Sequence, residues 1–100
     1  MGVNTKDVYA ALASPVRRQV LGLLRARAMS AGELSEHVSI SKPTLSGHLN
    51  VLKAADLVTV ERRQTTLIYR INLSVAEEAL SGLMTLFKLE DRDSTEEIEE

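Results

Sequence analysis

The spacing of apolar residues changes twice along this chain, and those two changes constrain the fold more than any other feature. Up to about residue 55 they recur at helical intervals. From Leu57 the period is two, with Val58 and Val60 on one side and, after a polar turn, Leu67, Tyr69 and Ile71 alternating with Ile68 and Arg70. At Ser74 helical spacing returns. Helices, then a hairpin, then a closing helix is the order this pattern requires.

Capping residues divide the helical part into short pieces. Thr5 to about Ala13 places Val8, Tyr9 and Leu12 at helical spacing, and Ser14-Pro15 supplies a new cap with a proline at the first helical position. The second helix carries Val16, Val20, Leu21, Leu23 and Leu24. Ser30-Ala31-Gly32-Glu33 has the form of a capping box and opens a short helix with Leu34 and Val38. Ser41 begins a helix that runs to about Ala55; Pro43 is tolerated because first-turn N–H groups have no intrahelical partner. Ser74 to Glu77 is expected to form a second capping box. The helix it opens presents Ala76, Ala79, Leu80, Leu83, Met84, Leu86 and Phe87, a face too broad for packing on one side only. The expected fold is mainly α with a β-hairpin wing, a winged helix-turn-helix of order α-α-α-α-β-β-α over residues 1–89.

A chain of 100 residues is near the lower limit for burying a core of its own, so pairing with a second copy is expected to help. The N-terminus lacks the basic and apolar blocks of a secretion signal, and no apolar run reaches membrane-spanning length, so a cytoplasmic protein is expected. Without cysteine there are no disulfides, thiolate zinc sites or thiol switches within the chain, and His37 and His48 are the only imidazoles. No nucleophile elbow, phosphate-cradling glycine loop or histidine–carboxylate spacing supports an enzyme, and no cofactor or metal is expected.

Net charge is −2, but the charges are segregated. From Glu90 onward seven acids face Arg92 alone, a net −6, which leaves +4 on residues 1–89. A basic body with an acidic tail is compatible with nucleic-acid binding. Residues 90–100, with Ile98 as their one large apolar side chain, are expected to be a disordered tail.

The stretch from Ala11 to Leu21, then Ser30 to Glu36, Ile40 to Leu52 and Leu57-Val58, resembles the ArsR/SmtB family of bacterial transcription regulators over roughly residues 5–89. Within that family it is closer to the SdpR-like autorepressors than to the metal sensors. The resemblance implies a repressor that binds double-stranded operator DNA as a homodimer. Metal-sensing relatives use cysteines in the region of Ser30 to Glu36, or carboxylate and histidine ligands on the last helix. Neither set is present, and Glu77 and Glu78 are first-turn acids favoured by the helix dipole.

On a helical wheel centred on Leu45, Leu49 and Leu52 fall within about 40° and face inward. Pro43, Ser46, Gly47 and Asn50 lie opposite, flanked by Lys42 and Thr44, and the resemblance makes this the face offered to the major groove. Asn50 can pair with adenine, Lys42 can reach guanine or phosphate, and the Thr44 and Ser46 hydroxyls suit base edges or phosphates. Gly47, where relatives usually carry a larger polar or basic side chain, is either kept for close approach of the groove wall or simply tolerated. His48 falls at the edge of the core, as a half-buried histidine bonded to backbone or phosphate. The turn from Arg62 through Arg63 and Gln64 to Thr66 forms the wing tip, without the glycine common in related wings, and offers two cations to phosphates or a minor groove. Asp56 stands where a helix C-terminal glycine is usual. Arg17 lies near the DNA backbone in relatives, with an intramolecular acidic partner as the alternative. Val8, Tyr9, Leu12, Leu80, Leu83 and Phe87 are candidates for the dimer interface, some of which will instead be core. A winged helix used for protein contact, in the manner of an antirepressor, is the competing reading.

Overall fold

The computed structural model describes residues 5–88. Along them run α1 (Thr5–Leu12), α2 (Pro15–Ala26), β1 (Met29–Ser30), α3 (Ala31–Ser35), α4 (Lys42–Ala54), β2 (Val58–Arg63), β3 (Thr66–Ile71) and α5 (Leu73–Phe87). The acidic segment 90–100 lies outside the described residues. Among those described, no helix is long and apolar enough to cross a membrane.

Three of the four expected serine caps are formed. Ser14 Oγ accepts from the Arg17 N–H at 3.2 Å and Ser41 Oγ from the Thr44 N–H at 3.3 Å. Ser30 and Glu33 make the reciprocal box, each side chain accepting from the other's backbone N–H, at 3.1 and 3.0 Å. The expected box at Ser74 is not present. Helix α5 starts two residues earlier than a Ser74 cap would set it, at Leu73, with Asn72 as an N-cap that makes no side-chain capping bond. The cause is the sheet: the Asn72 N–H donates to the Leu57 carbonyl at 2.9 Å, so Asn72 leaves the sheet and its carbonyl takes the first helical bond, from Ala76.

The sheet is antiparallel with strand order β1-β3-β2. Strand β1, which the sequence pattern did not announce, pairs Met29 with Tyr69 and Ser30 with Ile68. The hairpin is tighter than expected. Arg62 and Arg63 belong to β2, Thr66 pairs with Arg63, and Gln64-Thr65 alone make the turn. Gln64 takes the left-handed conformation, at φ 59°, that glycine usually supplies.

Leu45, Leu49 and Leu52 of α4 are buried in one core with Val20 and Leu24 of α2, Leu34 of α3 and Val58 of β2. Full burial of each leucine contributes about 2 kcal/mol, so the inward side of α4 is fixed by its leucine spacing. Val8 is 0% exposed and belongs to this intramolecular core, which removes it from any subunit interface. Helix α4 ends in a Schellman arrangement: the Leu57 N–H donates to the Leu52 carbonyl at 2.9 Å, the Asp56 N–H to that of Lys53 at 3.0 Å, and Asp56 has φ 61°.

Candidate nucleic-acid interface

Because its leucines anchor one side, α4 turns the other side outward. Lys42, Pro43, Thr44, Ser46, Gly47 and Asn50 are all exposed there, and so is Val51, at 40%. Val51 was absent from the expected face, although its wheel position beside Thr44 and Gly47 could have found it. Ser41 Oγ donates to Thr44 Oγ1 at 2.9 Å, so the Thr44 hydroxyl keeps its own proton to donate outward. Gly47 has a negative φ, and a Cβ placed on it would meet nothing within 4 Å. No contact within the chain therefore requires glycine at that position.

Helix α3 packs against α4, and the chain between them turns through Val38, which is buried, and Ile40, which is half-buried. This gives α3 and α4 the relation of a helix-turn-helix pair, with one side of α4 exposed. The wing supplies cations, but one acid counters them. Glu61 accepts from Arg63 Nε at 3.3 Å and from Arg70 Nη2 at 3.4 Å. Its carboxyl is held below the ordinary glutamate range, chiefly by the hydrogen bond from Arg63. Arg62 points from the opposite side of the strand and makes no ion pair among the described residues. The two tip arginines are thus not equivalent, which reading them as one turn could not reveal.

Arg17 and His48 are drawn inward together. Arg17 Nε donates to the Ala11 carbonyl at 2.8 Å, and its Nη1 lies 3.0 Å from His48 Nδ1. The intramolecular partners of Arg17 are thus backbone carbonyls and an imidazole rather than the acid expected as an alternative, and His48 meets Arg17 rather than a backbone group. Arg18 donates to the Leu12 carbonyl at 2.7 Å, so two neighbouring cations sit at the C-terminal, negative end of α1.

Away from α4, helix α5 has two apolar sides. Val75 and Ala79 pack inward, while Leu73, Leu80 and Phe87 stand outside, the last two 58% and 66% exposed, with Leu83 half-buried. Tyr9 and Leu12 of α1 are half-buried against the core. The described residues hold no group of three or more His, Cys, Asp or Glu side chains placed to share a metal ion.

Residues 12–61 match the family described as a helix-turn-helix domain. The chain is 34% identical over 87 residues to the transcriptional repressor SdpR of Bacillus subtilis, covering 87% of this chain and 97% of that one. Among solved structures it is similar to an ArsR-like transcriptional regulator from Rhodococcus sp. RHA1, with a TM-score of 0.77 at 26% identity over 96% of this chain and 92% of that one. It is also similar to the homodimeric winged helix-turn-helix DNA-binding domain of a possible ArsR-family transcriptional regulator from Mycobacterium bovis. There the TM-score is 0.69 at 26% identity, over 87% of this chain and 82% of that one.

Proposed function

Since this chain belongs to the ArsR/SmtB family of winged-helix transcriptional regulators, we propose that it is a cytoplasmic, sequence-specific repressor that grips operator DNA as a homodimer. The observation that carries this reading is the outward side of α4. It holds small and polar side chains free of intrachain packing, with Lys42 near its start and Lys53 near its end. Such a surface fits a major groove, where Asn50 and Lys42 meet base edges and the hydroxyls of Thr44 and Ser46 meet edges or phosphates. Arg62 of the wing adds a phosphate or minor-groove contact.

The outer side of α5, with Leu80, Leu83 and Phe87, and the half-buried Tyr9 and Leu12 form the surface through which two copies pair. Twofold pairing sets the two α4 helices about 34 Å apart, so the operator is an approximate palindrome spanning successive major grooves. The repressor works without a metal. His48 Nδ1 already serves Arg17, and Glu77 and Glu78 lie exposed in the first turns of α5 with no imidazole on that helix.

A gel-shift titration on the promoter of its own gene tests the proposal. With several lysines and arginines of a dimer on phosphates, log K falls against log salt with a slope of roughly −5 to −8. Absent or salt-insensitive binding favours a winged helix devoted to protein contact.

A further inference from the structure

Arg17 stands in the first turn of α2, yet its side chain serves two other helices. Nε and Nη2 donate to the Ala11 and Ala10 carbonyls of α1, at 2.8 and 3.3 Å, and Nη1 lies 3.0 Å from Nδ1 of His48 on α4. A guanidinium has donors and no acceptor. His48 Nδ1 is therefore the acceptor, and the proton of the neutral ring sits on Nε2. No described residue accepts from Nε2, and the half-buried ring contains no buried nitrogen without a partner, so this N–H opens to solvent. It does so beside Thr44 and Val51, one helical turn away on either side along the exposed border of α4.

We propose that Arg17 is a positioning residue for operator binding that acts through His48, holding the imidazole so that its Nε2–H donates to a DNA backbone phosphate. Two α1 carbonyls fix the plane of the guanidinium, and the fixed plane aims Nη1 at the ring. A cation donating into Nδ1 also strengthens the ring's other N–H as a donor. Because α1 lies beside the dimer surface, the same tie connects the pairing of the two copies to the pose of the recognition helix. This assignment rests on the reading of α4 as the DNA-facing helix.

Three measurements on the full chain test it. First, 15N NMR of the imidazole in the DNA-free protein at neutral pH is expected to report the Nε2–H tautomer; the Nδ1–H tautomer would overturn the assignment. Second, a double-mutant cycle compares Arg17→Met, His48→Leu and the double variant for operator affinity. Arg17→Met is expected to weaken operator binding about tenfold, the size of a lost charge-assisted hydrogen bond, with its salt slope unchanged and with no further loss in the His48→Leu background. A slope lowered by about 1 per protomer would make Arg17 a direct phosphate contact, and additive losses would separate the two residues; either result overturns the proposal. Third, His48→Asn places an amide oxygen where Nδ1 was, keeping the bond from Arg17 while removing Nε2–H. It should retain the parent's thermal stability and lose about tenfold in operator affinity, and unchanged affinity would overturn the proposal even if Arg17→Met fails to fold. A parent protein that shows no specific DNA binding removes the underlying reading as well, whereas a parent that binds beside an unaffected His48→Asn removes this assignment alone.

Discussion

The Tyr9 hydroxyl donates to the Ala79 carbonyl at 3.1 Å, joining the first helix to the last across 70 positions of sequence. Gly82, one turn further along α5, leaves room for that hydroxyl; a Cβ there would lie 3.3 Å from it. The bond ties one side of α5 to the body, and Leu80 and Phe87 stand exposed on that helix.

Tyr9→Phe tests that bond. The Ala79 carbonyl lies inside a helix, where it can keep its i+4 partner, so losing the phenol leaves no buried orphan. The expected cost is about 1 kcal/mol, measured as a lower urea midpoint at fixed protein concentration. An unchanged midpoint would show that the bond contributes nothing.

Leu80 and Phe87 differ from Val8 in a way that separates association from folding. With both exposed on a single chain, Leu80→Glu combined with Phe87→Glu should yield a folded monomer by sedimentation, with helical circular dichroism retained. Val8→Ala, in the core, should instead cost about 2 kcal/mol of stability and leave association intact at native temperatures. A Leu80/Phe87 variant that still forms dimers would place the interface elsewhere.

Asp56 occupies the left-handed position of the Schellman motif that ends α4. An L-residue there carries a steric cost that glycine avoids, partly offset by glycine's greater freedom in the unfolded chain. Asp56→Gly is expected to raise stability by about 0.5–1 kcal/mol in thermal unfolding. A fall in Tm would mean that the aspartate side chain supplies something the geometry does not display.

These positions also mark how far the sequence could be read. Ser14, Ser30 and Ser41 announce helix starts because a capping bond is local, spanning three residues. Ser74 misleads because the start of α5 is set from outside the segment, by the Leu57 carbonyl that holds the Asn72 N–H. Strand β1 is two residues long and exists only through Tyr69 and Ile68, so no periodicity could betray it. Among candidate site residues, the outward set on α4 followed from the leucine spacing of that helix. The Arg17–His48 bond, 31 positions apart, did not. Nor could helical spacing decide that Val8 faces the chain's own core, because α1 has neighbours on more than one side.

Glu33 gives the acid response a direction. Its carboxylate is held below the ordinary range, first by the hydrogen bond from the Ser30 backbone and then by Arg27, 3.1 Å away. A group whose folded pKa is lowered adds stability above its unfolded pKa and loses it as pH falls through the folded one. Glu33→Gln should therefore lower Tm at pH 7 and reduce the further fall in Tm on acidification to pH 3. Parallel Tm curves for parent and variant would contradict this.

The most direct test concerns the outward side of α4. A variant with Lys42, Ser46 and Asn50 all replaced by alanine removes groups that touch no part of the core, so it should fold with a Tm close to that of the parent. Competition binding between the operator and a scrambled duplex at fixed salt should then show selectivity reduced to near unity. A folded triple variant that still prefers the operator as strongly as the parent would contradict the account.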